Sequence, residues 1–169
     1  MIRPILRYGA STLHVRARPV ENFDAELHAL LSDMTETMYA APGIGLAAPQ
    51  IGVPVRVCVI DVTVGKKSGE LHELVNPEIV VCEGIQMEEE GCLSLPGFNA
   101  TVVRPMRTVV NAADREGRPI TIEGTGLLAR ALQHELDHLD GSIFVDRLRG
   151  IKRDVIVRKV HKLRRTGKW

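Results

Sequence analysis

The segment Gln133-His134-Glu135-Leu136-Asp137-His138 predicts the element around which the chain folds. On a helix, residues four positions apart lie one above the other, so His134 and His138 present two imidazoles to one point, as a metal ion requires. Glu135 lies one position round the helix, where a carboxylate can take a proton from a water at the metal. Two imidazoles leave a metal under-ligated, so a third ligand is needed elsewhere, and Cys92 is the best candidate.

The same pattern also occurs by chance, and two such histidines can instead lie on a solvated helix face or in a core. The residues around the motif favour a helix. Strong helix formers from Gly126 to Leu132 lead into it, and Gly141 follows as a natural stop. The motif therefore lies inside a predicted helix, and at this point both the metal interpretation and the purely structural one stay open.

Length and composition predict one globular domain over residues 1–169. Of the 169 residues, 44% are hydrophobic and 25% are charged, which is enough to bury a core. The formal net charge is +1, but residues 149–169 hold nine Lys and Arg against one acid, leaving −7 for the rest of the chain. This asymmetry indicates an acidic body with a basic tail able to contact a polyanion, although charge runs are more often solvated faces.

The sequence shows no signal for export or membrane insertion. Residues Met1–Arg7 lack a long apolar run with a small-residue cleavage site, and nowhere do about eighteen apolar residues run together. The three cysteines, Cys58, Cys82 and Cys92, lack disulfide-style spacing and fit a reducing compartment. We therefore expect a cytoplasmic protein that does not contact a membrane.

The remaining pattern predicts strands between an N-terminal and a C-terminal helix. An apolar stripe from Leu27 to Met38, capped at Asn22 or Asp24 and ended at Pro42-Gly43, indicates the first helix. Strands are predicted at Val55–Asp61, at His72–Val81 with an interruption at Asn76-Pro77, at Val102–Val110 and at Ile120–Glu123. A terminal helix over Ile151–Arg165 has a narrow apolar seam, and it docks either on the body or on RNA.

Two further segments carry residues suited to a site. Gly43–Gln50 is small and apolar and ends in one amide. Its glycines would let an extended peptide pair with the backbone, although this segment alone favours a tight loop under the first helix. Glu88–Gly97 places three acids before Gly91 and Cys92, an unusual way to fill a core, so a thiolate ligand suits Cys92 better than a structural role.

Three segments together resemble the signature motifs of the peptide deformylases. They are G-I-G-L-A-A-P-Q at Gly43–Gln50, E-G-C-L-S at Glu90–Ser94 and H-E-L-D-H at His134–His138, in the order and spacing of the family. The resemblance implies an α+β fold in which antiparallel β-sheets pack around a central metal-binding helix, with an N-terminal helix and a C-terminal helix. It covers the whole chain.

The resemblance also implies a metal centre with an open position. Cys92, His134 and His138 would ligate one divalent metal, with a water as the fourth ligand. Iron(II) is the expected metal in the cell, and zinc, nickel or cobalt can replace it on purification. Glu90 or Asp137 would hydrogen-bond a ligand imidazole, or would instead be a surface acid or a partner for Arg104.

The implied reaction is hydrolysis of the N-formyl group from the N-terminal formylmethionine of newly synthesised polypeptides, releasing formate. Glu135 would act as general base and then as general acid. The metal, the Gln50 amide and the Leu93 backbone N–H would stabilise the charge that grows on the formyl oxygen. No nucleotide cofactor is expected.

A pocket for the methionine side chain is implied beside the metal. Leu127 and Ala131 share the helix face of His134 and are expected in its wall. Arg130 either lines the rim with its alkyl stem while its guanidinium stays in water, or lies on the surface. The residues predicted to bind substrate, through side chains or through backbone pairing with the peptide as an added strand, are Ile44, Gly45, Gly91, Leu127 and Ala131.

Two regions bear on partners. Asn99 stands where many members of the family carry a longer basic side chain, so a charge-based grip on the peptide beyond its first residues is not expected. The basic helix at Ile151–Arg165 resembles the tail through which some bacterial deformylases contact the ribosome near its exit tunnel. Nascent chains, and the ribosome through this helix, are therefore the expected partners.

Two other functions compete with this interpretation. In a zinc peptidase with H-E-x-x-H the third ligand usually lies downstream, but here only Asp146 or His161 is available and neither is attractively spaced. A non-enzymatic metal-stabilised module, or an inactive relative that binds ribosomes, is the second. Glu135 and Gln50 argue against it, because a structural metal site needs no general base.

Overall fold

The helix that carries the two histidines is largely buried. In the computed structural model, which covers residues 1–169, this helix, α2, spans Gly126–Leu139, and ten of its fourteen residues are buried. The Arg56 guanidinium donates a hydrogen bond to the Leu139 carbonyl at 2.9 Å, and Gly141 follows with a φ of +83°. A cation and a left-handed glycine are typical of a helix C-terminus, so the predicted end of the helix is confirmed.

Two antiparallel sheets and two further helices surround α2. In chain order the elements are α1 (Ala25–Ala40), β1 (Gly45–Ala47), β2 (Val57–Ile60), β3 (His72–Glu83), β4 (Gln86–Gly91), β5 (Asn99–Arg104), β6 (Arg107–Ala113), β7 (Pro119–Thr125), α2 and α3 (Ile151–Arg165). One sheet has five strands in the order β1-β2-β3-β6-β7, and the other pairs β4 with β5. The predicted α+β fold of antiparallel sheets around a central helix is confirmed.

The five-stranded sheet lies between α1 and α2. All four residues of β2 are buried, so this strand is a continuous apolar run rather than an alternating one. Val57 and Val59 pack with the apolar stripe of α1, whereas Cys58 and Ile60 pack with Ala131 and its neighbours on α2. Alternate side chains of one strand therefore join two cores, and Cys58 is the buried apolar residue expected of it.

The first helix, α1, is capped by Asp24, one of the two predicted N-cap residues. The Asp24 carboxylate accepts a hydrogen bond from the Leu27 N–H at 3.0 Å, so Asp24 rather than Asn22 is the N-cap. Leu31, Met34 and their neighbours on the stripe are buried against the sheet.

The prediction of one strand over Val102–Val110 is wrong. The chain turns at Pro105, which has no N–H to donate, and β5 and β6 enter different sheets. The Pro105 carbonyl accepts hydrogen bonds from the side chains of Gln86 and Gln133 at 3.0 and 3.1 Å. These bonds attach the turn to β4 and α2, so the small sheet is held against the central helix.

The segment around Gly45 is a strand rather than the tight loop that it favoured in isolation. Gly45–Ala47 pairs with Ile60–Cys58 of β2, and β1 is the edge strand of its sheet. β3 continues to Glu83 through the expected irregularity at Asn76, whose φ is +50° and whose side chain bonds both backbone groups of Val20. The strand β4 had no counterpart among the predicted elements.

The C-terminal helix α3 spans the predicted residues and docks on the body. Ile156 and Val160 are buried in a third core cluster together with Leu13, Leu95 and Phe144. The rest of the helix surface is largely exposed and basic. No helix in the structure combines the length and apolarity needed to cross a membrane.

Candidate metal centre

Three donor atoms from distant parts of the chain meet beside α2. The Cys92 sulfur, just after β4, lies 3.3 Å from Nε2 of His138, and that nitrogen lies 3.2 Å from Nε2 of His134. One ligand atom from each residue lies within 4.8 Å of the others. The two histidines are buried and Cys92 is partly buried, so the sequence-predicted trio is brought together.

The donor set fits a divalent metal ion. A tetrahedral ion with nitrogen ligands at about 2.1 Å and sulfur at about 2.3 Å separates its ligand atoms by roughly 3.3–3.7 Å, close to the spacing here. Nδ1 of His134 lies 2.5 Å from Oε1 of Glu90. That contact holds the ring with Nδ1 protonated and leaves the Nε2 lone pair directed into the cluster.

Glu90 is the carboxylate that contacts the His134 imidazole, and its partner is a buried arginine. The Arg104 guanidinium donates to both Glu90 oxygens, at 2.6 and 2.8 Å, and to Asp137 at 3.0 Å. Burial alone would raise the pKa of Glu90, but Arg104 and His134 outweigh it and lower this pKa far below its usual range. Of the two candidate acids, Glu90 therefore orients an imidazole, whereas Asp137 pairs with Arg104 and Arg147.

The pKa values of the His134 and His138 imidazoles shift in opposite directions. Burial and the neighbouring His134 lower the pKa of His138, which keeps this imidazole neutral and able to ligate. Burial also opposes protonation of His134, but the Cys92 sulfur and the Glu90 carboxylate outweigh it and raise its pKa. The Cys92 sulfur and the Glu90 carboxylate therefore favour a positive charge on His134, whereas His138 stays neutral.

Glu135 lies next to His134 on α2 without belonging to the donor cluster. It is only 3% exposed, and its Oε2 has no hydrogen-bond partner within the protein. Burial raises the pKa of Glu135 to about 7, close to that of a general base working near neutral pH. The absence of a Cβ at Gly45 is required here, since a methyl group on that residue would overlap Oε1 of Glu135.

The two groups expected to bind an oxyanion lie next to Cys92. Oε1 of Gln50 accepts from the Ala47 N–H at 2.9 Å, which fixes the amide so that Nε2 donates to Ser94 Oγ at 3.1 Å. Nε2 also lies 3.8 Å from the Cys92 sulfur. The Leu93 N–H donates no hydrogen bond within the protein, so it is free for a ligand.

A cavity of about 360 Å³ opens beside the cluster. Its lining contains every residue predicted to bind substrate: Ile44, Gly45, Gly91, Leu127 and Ala131. Leu127 is half exposed at its mouth, and Ala131 is buried. A larger cleft of about 590 Å³ lies against α1, away from these residues, and presents no comparable set of ligating groups.

Both expectations for Arg130 are wrong. The residue lines the cavity but is only 4% exposed, and its guanidinium is inside the protein. It donates to Glu90 at 2.6 Å and to the Val102 carbonyl at 2.9 Å. Glu90 thus has two arginine partners, and a buried arginine is tolerated because the carboxylate neutralises it.

The downstream ligands of the peptidase alternative are not at the cluster. The Asp146 carboxylate accepts the Ile143 N–H at 2.9 Å at the start of a short 3₁₀ turn, and His161 is exposed on α3. The sequence offered Arg104 as a partner for Glu90 or Asp137, and the structure pairs it with both. The contact of Ser94 with Gln50 and the pairing of Arg130 with Glu90 were not predicted, because each depends on a partner distant along the chain. The only local signal for Ser94 was its place as the last residue of the E-G-C-L-S motif that contains Cys92.

Comparison with known proteins identifies similar chains along the full length. A family model described as polypeptide deformylase matches residues 2–154. A peptide deformylase of Acidobacterium capsulatum is 48% identical over 169 residues, covering 100% of this chain and 99% of that protein. The crystal structure of a peptide deformylase from Legionella pneumophila is similar with a TM-score of 0.91 and 50% identity, covering 99% of this chain and 98% of that one. The crystal structure of the Thermus thermophilus peptide deformylase has a TM-score of 0.87 and 42% identity, covering 95% and 94%.

Proposed function

The chain belongs to the peptide deformylase family and is a hydrolase that removes the N-formyl group from newly made polypeptides, and we propose how its residues carry out that reaction. The observation that carries the proposal is the meeting of one sulfur and two imidazole nitrogens beside a buried carboxylate with a pKa of about 7. This combination suits hydrolysis of an amide-like bond by an activated water.

Cys92, His134 and His138 would hold one divalent metal. When bound there, the metal supplies Lewis acidity, lowering the pKa of a water and polarising the formyl carbonyl. Glu90, with Arg104 and Arg130 as its partners, keeps His134 in the ligating tautomer. We propose iron(II) as the metal in the cell, and metal analysis of anaerobically purified protein beside its activity tests that choice.

Glu135 moves the proton in both halves of the reaction. Its carboxylate accepts a proton from water as the oxygen–carbon bond forms at the formyl group. The same proton then passes to the amine nitrogen as the carbon–nitrogen bond breaks, which releases formate and a free N-terminus. Burial of Glu135 supports both roles, because a carboxyl with a pKa of about 7 can accept and return a proton at neutral pH.

The Gln50 amide and the Leu93 N–H stabilise negative charge on the formyl oxygen. Ala47 and Ser94 hold the Gln50 amide from both ends, so this donor is in position before substrate arrives. The unpaired N–H of Leu93 provides the second donor. Loss of one such donor typically lowers kcat by about 10²–10³-fold.

The substrate peptide would bind as an added strand between β1 and β4. The Ile44 carbonyl already accepts the Asp61 N–H at 2.8 Å. Because β1 is an edge strand, the Ile44 N–H and the backbone of Gly45 would pair with the peptide, with Gly91 on the facing side. The methionine side chain would enter the cavity between Leu127 and Ala131. Backbone pairing reads no side chains, which explains how one site accepts many different nascent chains.

A formate-release assay on formyl-Met-Ala-Ser tests the mechanism. We expect Glu135→Ala to lower kcat by about 10²–10⁴-fold, since it removes the general base, while Cys92, His134 and His138 still retain the metal. Metal content measured in both proteins is the control. Equal formate release by wild type and variant at equal metal content would refute the role of Glu135.

The basic surface of α3 is proposed to contact the ribosome, which would bring this enzyme to nascent chains in the cytoplasm. Its exposed cations include Arg158, Lys159 and Lys162, and a docked helix presents them as a rigid face. Because binding to a polyanion releases counterions, co-sedimentation with ribosomes should weaken steeply with added salt. Salt-independent binding, or unchanged binding after these three residues are replaced by glutamate, would contradict this contact.

A further inference from the structure

A short N-terminal segment, residues 6–8, links the two parts of the chain that carry the proposed oxyanion donors. We refer to it as the strap. The Leu6 N–H donates to the Gln50 carbonyl at 2.7 Å, and the Tyr8 N–H donates to the Ser94 carbonyl at 2.8 Å. Gln50 and Ser94 are also joined through their side chains at 3.1 Å. The strap therefore holds the backbones of both donor segments at fixed separation.

Trp169 holds the strap from the outside. Its indole Nε1–H donates to the Tyr8 carbonyl at 2.8 Å, so Tyr8 is bonded on one side to Trp169 and on the other to Ser94. The indole also meets the Phe98 ring edge-on, with centroids 6.1 Å apart, and the Arg7 guanidinium lies 5.6 Å from the indole centroid. Trp169 thus contacts both the strap and the far end of the segment that contains Leu93.

The position of Trp169 is set by α3. After the helix ends, Gly167 adopts a φ of +71° and the Lys168 N–H donates to the Leu163 carbonyl at 2.8 Å, which turns the chain back toward the body. The buried face of α3, including Val160, shares a core cluster with Leu95. The helix and the loop containing Leu93 are consequently packed on one common core.

We propose that Trp169 is a positioning residue for the deformylation reaction. It is absent from the lining of the cavity, so it acts through Tyr8 and Ser94 on the placement of the Gln50 amide and the Leu93 N–H. The inference rests on the proposed oxyanion role of those two donors. Because misplacement of a catalytic group by about 1 Å can cost about 10²-fold, loosening the strap is expected to lower kcat about tenfold while leaving KM within about twofold.

Kinetics of Trp169→Ala and Trp169→Phe on formyl-Met-Ala-Ser provide the first test, with Lys168→Ala as the matched control. The Lys168 side chain is exposed, so its truncation should leave kcat unchanged. Trp169→Phe keeps an aromatic ring against Phe98 but loses the indole donor, so it should recover part of the loss. A lower melting temperature with unchanged kcat in Trp169→Ala would overturn the proposal.

A double-mutant cycle tests the route. Ser94→Ala removes the hydroxyl that accepts from the Gln50 amide but keeps the Ser94 carbonyl that binds the strap. If Trp169 acts on Gln50 through Ser94, the effect of Trp169→Ala on kcat should be smaller in this background, and the effect that remains should come from the Leu93 N–H. Multiplicative losses from the two substitutions would contradict this route.

Amide hydrogen exchange provides a readout that does not depend on activity. In Trp169→Ala the amides of Leu6 and Tyr8 should exchange about tenfold faster or more, whereas amides in β2 should keep their wild-type protection. Wild-type exchange at Leu6 and Tyr8 would overturn the proposal even if kcat fell. Failure of the wild-type enzyme to release formate would refute the proposed function instead, and exchange would still decide whether Trp169 holds the strap.

Discussion

Gly45→Ala should be among the most damaging single-methyl changes in this protein, although it leaves the fold intact. Gly45 pairs with Ile60 in β1 and has no left-handed φ, so alanine suits its backbone. The added methyl group would nevertheless overlap Oε1 of Glu135. Because Glu135 is only 3% exposed, its carboxylate cannot swing into solvent, and it must shift by roughly 1 Å to regain van der Waals contact.

A shift of that size in a proton-transferring group is expected to lower kcat by about 10²-fold. The assay is formate release from formyl-Met-Ala-Ser, with metal content and melting temperature measured on the same samples. Metal content should be unchanged, because the three donor residues are not displaced. A kcat within about threefold of wild type would refute this reasoning, and so would a rise in KM alone, which would indicate that the methyl group obstructs the peptide instead.

Introducing Gly45→Ala into a Glu135→Asp enzyme distinguishes a clash with the Glu135 carboxylate from a general disturbance of β1. Glu135→Asp shortens the side chain by one methylene and so draws the carboxylate back from the position that the methyl group would occupy. Adding Gly45→Ala to the Glu135→Asp enzyme should therefore cost much less than adding it to wild type. An equal cost in both backgrounds would show that the methyl group does not act through the carboxylate.

Two further predictions concern stability. Arg104→Ala removes one of the two arginine partners of Glu90 and one of those of Asp137, and Arg130 and Arg147 remain. Because part of the buried charge stays neutralised, we expect the free energy of unfolding to fall by about 3 kcal/mol in chemical denaturation, and a loss below about 1 kcal/mol would contradict a structural role for Arg104. Burial alone would raise the pKa of Asp61, but hydrogen bonds from Tyr39 and nearby groups outweigh it, so the pKa is below its usual 3.8. Asp61 therefore stabilises the fold at neutral pH and less as the pH falls below about 4, so the stability difference between wild type and Asp61→Asn should be constant from about pH 5 to 8 and should shrink in acid. A stability difference that grows as the pH falls would contradict a lowered pKa of Asp61 in the folded protein.

Local patterns were sufficient for much of the fold. The helix with the two histidines and the helix over Ile151–Arg165 were predictable because their apolar spacing, helix formers and stop residues lie within the segments themselves. Two interpretations of Gly43–Gln50 stayed open because a three-residue strand has almost no pattern of its own. It becomes a strand only by pairing with β2, which is a tertiary effect.

The two wrong predictions, the single strand over Val102–Val110 and the exposed Arg130, both depend on contacts between residues that are distant in sequence. Val102–Val110 has strand-forming residues on both sides of Pro105, so composition predicts one strand where the chain turns between two sheets. Arg130 was expected at the surface because a buried arginine is rare without a partner. Its partner, Glu90, lies 40 residues earlier, and only the fold brings the two together.

The residues of the candidate site were easier to predict from the sequence than the residues that hold them in position. His134 and His138 lie four residues apart on a helix, and Glu135 follows the first of them, so this short segment by itself indicates a metal site with a general base. Cys92 lies in a segment that is poorly suited to a core. The arginines that hold Glu90, and the strap that joins Gln50 to Ser94, carry no such local pattern. Ligating and proton-transferring residues can be recognised by type and spacing, whereas positioning residues are defined by contacts.

One sulfur and two imidazole nitrogens of this chain are proposed to hold a single catalytic cation, with one position left for water. X-ray absorption spectroscopy at the metal edge of anaerobically prepared, active protein tests it most directly. We predict one sulfur scatterer at about 2.3 Å and two imidazoles at about 2.1 Å with one further light atom, and loss of the sulfur shell in Cys92→Ala. A spectrum without sulfur, or a sulfur shell that persists in Cys92→Ala, would contradict the proposal that Cys92 ligates the metal together with His134 and His138.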